Sequence, residues 1–245
     1  LFAFAAYLAE HAGHFDYLDL CNIPEDSPIR ERLPVLLEQC GFAIEQTQLD
    51  VCPHFAVPDS WDAYLGRLAK KQRHELRRKM RRAHGATEQV DWYIVGPEQD
   101  IETEIDRFVD LMAASDREKE AFLQDANNVA FFRKIVPLLH EHGWLQLAFL
   151  TVNGKPTAAY LNIDYDDRVM VYNSGLQRGG DYDHLSAGIV LLAHLIRHAI
   201  KNKVQVFDFL RGDETYKYHL GGEDKGVFAL RAYHQSTSGE LDESS

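Results

Sequence analysis

The sequence predicts an α+β protein, an antiparallel meander that passes through one crossover helix. Three features of the last hundred residues point there. Residues 145–152 and 157–165 are apolar runs flanking Asn153-Gly154, a pair that closes two-residue hairpins because both residues tolerate positive φ. Ile189, Leu192, Ala193, Ile196 and Ile200 recur on one face of a helix. Strand-like segments at 169–173, 204–210 and 227–233 surround that helix. The order is therefore strand, strand, strand, loop, helix, strand, short helix, strand.

The earlier elements follow in order. Residues 2–10 read as the end of a helix and 15–20 as a strand. The run from Asn22 to Pro28 is a turn, in which Ser27 caps a helix and Pro28 occupies its first turn, where no amide hydrogen is required. That helix runs to about Gln39 and stops at Gly41, with Pro34 an interior interruption. Residues 42–52 are extended, and the proline-containing connector 53–59 is the best boundary. Ser60 caps a second helical stretch with Trp61, Tyr64, Leu65, Leu68, Leu76 and Met80 near one face; Gln72 interrupts it and Gly85 ends it. Residues 90–95 form a strand. Ile105, Phe108, Val109 and Met112 mark a helix from about Asp100. A polar stretch, 115–128, leads to a helix through Phe132, Ile135 and Leu139. The polar tail, 236–245, is expected to be disordered. A weak echo links 2–28 with 189–218, each reading helix, Phe-Asp strand, polar turn.

Composition bounds the answer. With 245 residues, 45% hydrophobic and 26% charged, the chain is long enough for one large domain or two small ones. It begins with Leu1 rather than Met and is expected to enter partway through a domain. The formal charge is −12, which excludes a protein that is basic throughout, yet the window 67–82 holds nine Lys/Arg against Glu75 alone. That +8 window leaves −20 for the remainder. The basic helix has three readings: a solvated face, an answer to the acidic remainder, or a polyanion site. It lacks the interleaved aromatics that single-strand nucleic-acid binding uses. Cys21, Cys40 and Cys52 form no C-x-x-C pair, and so few thiols suit a reducing compartment; the cytoplasm is the expected location. No apolar run has the roughly 18–20 residues that span a bilayer, and residues 1–9 lack the flanks of a signal peptide.

Two segments carry chemistry. Asp208-Phe-Leu-Arg-Gly-Asp-Glu-Thr-Tyr-Lys217 places an acid at a strand end, then Arg211, Gly212, Tyr216 and Lys217 within ten residues. Arg and Lys suit a phosphate or carboxylate, Gly lets a backbone approach, and a phenol beside a leaving group can act as a general acid. The bland alternative is a structural Asp208–Arg211 pair with Tyr216 packed beneath it. The second segment runs from Asn173 to Gly188 between a strand and a helix, where backbone amides and a helix N-terminus can receive an anion. It matches neither the Walker pattern nor G-x-G-x-x-G; a plain connection is the alternative. His194 and His198, four apart, could chelate a metal, but no Glu follows His194, and they are expected to project to solvent opposite the apolar face. His140 and His142 favour a helix C-terminus and nothing more. No metal site is expected.

The runs Gly143-Trp-Leu-Gln-Leu-Ala-Phe-Leu-Thr-Val-Asn-Gly-Lys-Pro-Thr-Ala-Ala159, Tyr172-Asn-Ser-Gly175, Leu185-Ser-Ala-Gly188 and Phe207-Asp-Phe-Leu-Arg-Gly-Asp-Glu-Thr-Tyr-Lys217 resemble the CelD/BcsL type of GNAT-superfamily acyltransferase, the BioF2-like acetyltransferase domain related to FemABX transferases. The basic helix and the Asn22–Pro28 turn share the resemblance, which extends to about Tyr233. It implies two tandem GNAT-like domains: the C-terminal part of a first copy over 1–59 and a complete second copy over 60–235, before the tail at 236–245. It implies that the strands 169–173 and 204–210 splay around the pantetheine arm of acetyl-CoA or another acyl-CoA. The pyrophosphate would then rest on Leu185, Ser186, Ala187 and Gly188.

The expectation is transfer of an acyl group, acetyl first among them, to an amine or hydroxyl of a small-molecule or glycan acceptor, with polysaccharide or cell-envelope synthesis as context. Backbone near Asn173 and Ser174 would polarise the thioester carbonyl. Tyr216, with Tyr218 as second choice, would protonate the thiolate. Asp208 would act as base or orient Arg211, while Arg211, Gly212 and Lys217 hold an anionic group. Two alternatives stand beside this: a FemABX-like transferase using aminoacyl-tRNA, the one version with a nucleic-acid partner, and a non-catalytic partner-binding domain in exopolysaccharide assembly.

Overall fold

The structure is a computed structural model and describes residues 1–234; the tail predicted over 236–245 lies outside the described residues. The chain opens with α1 (Phe2–Glu10), β1 (Tyr17–Pro24), α2 (Pro28–Gln39) and β2 (Phe42–Val51). There follow β3 (His54–Ala56), α3 (Trp61–Arg67), α4 (Lys70–His84), β4 (Val90–Ile94), α5 (Ile101–Ser115), α6 (Arg117–Gln124) and α7 (Ala126–Glu141). The rest comprises β5 (Leu145–Val152), β6 (Lys155–Tyr165), β7 (Arg168–Leu176), α8 (Ala187–Lys201), β8 (Val206–Asp208), α9 (Thr215–His219) and β9 (Gly226–His234).

These elements form two compact units. Among the described residues the first comprises 1–53, 211–213 and 224–234; the second comprises 54–210 and 214–223. In the first, β9 is the central strand of an antiparallel sheet ordered β1-β9-β2, with Leu230 and Ala232 packed in a core that includes Ala5, Leu33, Leu37 and Phe42. The strand that the sequence reading grouped with 60–235 is therefore hydrogen-bonded within the first unit. Ser27 caps α2 through a bond that its Oγ accepts from Ile29 N, and Pro34 does not end the helix. Its missing amide leaves the Arg30 carbonyl without a helical donor, a loss offset by burial of Leu33, Pro34 and Leu37.

The second unit holds a six-stranded sheet ordered β3-β8-β7-β6-β5-β4, antiparallel except where β7 meets β8. It is an α+β fold, a mixed and mostly antiparallel sheet with flanking helices. Asn153 and Gly154 take φ of 50° and 75° at the β5–β6 hairpin, as their chemistry predicts. Three local readings are corrected here. The connector 53–59 contains an edge strand, β3, paired with β8. The basic stretch breaks at Leu68 and Ala69, both extended, where Leu68 turns into the core. The polar stretch 115–128 holds α6, because Asp116 caps it by accepting from Lys119 N at 2.9 Å and Asp125 caps α7 in the same way.

Helix α8 is apolar on nearly every side, with Leu191, Leu195 and Ala199 as buried as Leu192 and Ile196. His194 and His198 are accordingly half-buried rather than projecting into solvent. The His194 ring stacks on Trp92 at 4.9 Å, and burial lowers the pKa of both imidazoles. No helix among the described residues is long and apolar enough to cross a membrane.

Candidate active site

The site grows from the one parallel pairing in the second unit. β7 and β8 share three register positions, Arg168 to Met170 against Val206 to Asp208; β7 then continues to Leu176 without β8. At the point of divergence Asp208 is buried and fully engaged. Its Oδ2 accepts from Arg168 at 2.8 Å and its Oδ1 from Leu210 N at 2.8 Å. The sequence offered Arg211 as its partner, but the parallel register brings Arg168 to it instead. Arg211 belongs to the first unit, where its Nε donates to Asp50 at 2.7 Å, and Gly212 N donates to Val51 O at 3.0 Å.

Past the divergence, alternate amides of β7 point away from β6. Gln177 N donates to Thr157 O on the β6 side, so Ser174 and Leu176 face the other way. Side chains answer this edge. Asn173 Oδ1 accepts from Ser174 N at 2.8 Å, and Ser115 Oγ accepts from Leu176 N at 2.7 Å. Lys119 Nζ donates to Ser174 O at 2.6 Å and to its Oγ at 3.2 Å. Gly175, expected in a loop, lies in β7 beneath α5: a Cβ there would stand 2.7 Å from the Leu111 and Met112 backbone.

A cavity of about 610 Å³ opens against this edge. The first turn of α8 forms one wall through Ser186, Ala187, Gly188 and Ile189. Amides in a first turn have no intrahelical acceptor and carry the positive end of the helix dipole. Ser186 takes the left-handed conformation, φ 54°, to turn the chain into the helix. Leu185 is a core residue, 1% exposed. Lys79 and Arg178 add positive charge to the walls, Asp116, Asp183 and Glu214 negative. Tyr160 and Tyr216 supply two phenols, both raised above the ordinary tyrosine pKa by burial, with Glu214 adding to the effect at Tyr216. A smaller cavity of about 330 Å³ shares Lys79, Ile189 and Tyr216 with the first and is bounded also by Glu75 and His219.

Of the predicted site residues, Ser174, Ser186, Ala187, Gly188 and Tyr216 meet at the larger cavity, with Asn173 one step behind it on Ser174. Lys217 is 2% exposed, and its ammonium bonds Leu210 O at 3.0 Å and Glu214 at 2.8 Å, closing the β8–α9 loop. Tyr218 is at the surface. Sequence reasoning missed Lys119, Tyr160, Arg178 and Lys79. Tyr160 reads as one more core position in a hairpin strand, and Lys119 as one charge in a polar stretch. Only the meeting of α6 with the β7 edge brings Lys119 to the cavity, and only the β6–β7 pairing brings Tyr160 there. Among the described residues no cluster of His, Cys, Asp and Glu could hold a metal ion.

Residues 70–218, more than half of the chain, match the family described as the acetyltransferase (GNAT) domain. No curated protein matches the chain. Several solved structures share the fold at low identity. A conserved protein of unknown function from Bacteroides thetaiotaomicron aligns at TM-score 0.66 and 16% identity, over 95% of this chain and 75% of that one. FemX aligns at 0.63 and 13%, over 93% and 75%. The C-terminal domain of a protein assigned as a lysylphosphatidylglycerol synthetase in Agrobacterium fabrum aligns at 0.57 and 12%, over 93% and 71%. Strands that part beside a helix N-terminus, the fold they belong to and the match over 70–218 together place the chain in the GNAT acetyltransferase domain family.

Proposed function

We propose that the second unit transfers an acyl group, acetyl first among the candidates, from acyl-CoA to an amine or hydroxyl acceptor, in the manner of the CelD/BcsL type. The observation that carries this reading is the divergence of β7 and β8 beside the first turn of α8, with cations at the rim of the cavity. The donor brings an activated thioester and an anionic pyrophosphate. The α8 amides, Lys79 and Arg178 suit the anion. Gly188 keeps the wall open there, since a Cβ would meet Leu176 at 2.8 Å.

In this reading Tyr216 protonates the departing thiolate. Its phenol is in the acid form across the neutral range, as any tyrosine is, and burial, which raises its pKa, makes it a weaker proton donor than an exposed one. The role therefore rests on its place at the cavity wall. Asn173 and Ser174 fix the β7 edge against which the acyl carbonyl lies. Asp208, held by Arg168 and the Leu210 amide, fixes the point where the strands part and is a positioning residue rather than a base. Isothermal titration with acetyl-CoA tests the reading: one binding event that Gly188→Ala weakens is expected, and absence of binding overturns it. A cell-envelope or polysaccharide precursor is the acceptor class that the family resemblance suggests.

A second reading, aminoacyl transfer from charged tRNA, draws on the likeness to FemX and to the synthetase domain, and on the exposed cations Lys70, Lys71, Arg77 and Arg81 of α4. Binding of charged tRNA with a steep salt dependence, in place of acetyl-CoA binding, would favour it.

A further inference from the structure

Lys119 is an amine that the fold inserts into the edge of β7. It comes from α6, whose cap Asp116 and whose neighbour Ser115 both touch the same region: Ser115 Oγ holds Leu176 N, and Asp116 holds the amide of Lys119 itself. The side chain is thus anchored at its base as well as at its tip. Its Nζ lies 2.6 Å from Ser174 O and 3.2 Å from Ser174 Oγ, inside the wall of the 610 Å³ cavity that also contains Tyr216. A lysine held in this way has little conformational freedom left to lose when it reacts.

We propose that Lys119 is an internal acyl acceptor, a self-modification site that the enzyme fills from its own donor. This rests on the acyl-CoA reading given above, which lays the acyl carbonyl along the Ser174 edge. The neutral amine attacks the thioester carbon, a C–N bond forms, and the C–S bond breaks with its electron pair on sulfur. The proton released from the nitrogen balances the proton taken up by the thiolate, and Tyr216 lines the cavity where that exchange occurs. The products are an amide on Lys119 and free CoA.

Two observations favour the step. Burial lowers the pKa of Lys119, with Arg178 reinforcing the shift against the opposing Asp116 and Glu214, so more of it is the nucleophilic free base than for an exposed lysine. The product also suits the site. A secondary amide keeps one N–H, enough to retain the bond to Ser174 O, and the added acyl group enters a cavity of sufficient volume. Because an amide is far less reactive than a thioester, the modified lysine is an end point rather than a carrier. It leaves the acyl pocket plugged.

The test uses the full chain incubated with acetyl-CoA, followed by peptide mass spectrometry over time, with donor binding measured in parallel. Acetylation of Lys119 is expected at least about tenfold faster than at the exposed Lys201 and Lys203. It should saturate with donor and be suppressed by desulfo-CoA. Lys119→Arg should remove that modification and no other. Donor binding with Lys119 unmodified, or modified no faster than the surface lysines, would overturn the inference while leaving the transferase reading intact. No donor binding at all would overturn the reading on which it rests.

Discussion

Tyr216 is where the chemistry of the site can be separated from its architecture. Its ring meets Phe209 edge-on at 6.2 Å, so Phe at this position keeps the packing and loses only the hydroxyl. Tyr216→Phe should lower single-turnover acyl transfer by about 10²-fold, the usual worth of one general acid, with acetyl-CoA affinity changed by less than about twofold. The pH dependence follows from the direction of its shift. The folded pKa lies well above the ordinary tyrosine value of about 10, so the acid form persists through pH 10 and the rate should not fall there on its account. An alkaline limb at or below pH 10 that Tyr216→Phe abolishes would contradict the assignment. The same sign governs stability. Tyr64, Tyr160 and Tyr216 are all raised by burial and Tyr93 to about 12, so their stabilisation is complete below pH 10 and declines above it. Chemical denaturation between pH 8 and 11 should show a plateau and then a fall.

At the scale of elements, the site depends on how closely α5 lies on β7. Gly175→Ala would set a Cβ 2.7 Å from helix backbone, which cannot rotate away. It should destabilise the second unit by about 2–3 kcal/mol and loosen the Ser115–Leu176 bond, seen as a lower denaturation midpoint and faster amide exchange at Leu176. Gly188→Ala meets the end of the Leu176 side chain, which can move, so it should cost less than about 1 kcal/mol of stability and act mainly on donor affinity. These elements were legible to different degrees. Asn153-Gly154, Ser27-Pro28 and Ser60 act through neighbours within three residues, so their turn and caps could be read from sequence. Helix α6 was hidden because it is eight residues long and buries none of them fully. The pairing of Asp208 with Arg168, forty residues away, was hidden because spacing favours Arg211 and only the β7–β8 register decides otherwise. Tyr216 and the α8 first turn were legible as types of chemistry; Lys119 was not, since its role exists only where two distant segments meet.

For the molecule as a whole, the chain leaves the first unit at Pro53 and returns to it finally at Asp224. Residues 54–223 hold every strand of the six-stranded sheet and every residue lining the 610 Å³ cavity. Expressed alone, that segment should fold and bind acetyl-CoA within about threefold of the full chain; failure to give a cooperative transition would show that it is not autonomous. β1 and β2, by contrast, have no hydrogen bonds to each other, and each pairs with β9. On a ribosome that order has a consequence in time. When residue 51 has been made, the strand that must lie between β1 and β2 is still about 175 residues from synthesis, on the order of ten to thirty seconds at common elongation rates. Residues 1–51 are therefore made before residues 54–223 but complete their sheet after them, when β9 arrives. Whatever protects a nascent chain from sticking to its neighbours has that interval to cover, and translation pauses before codon 226 would lengthen it.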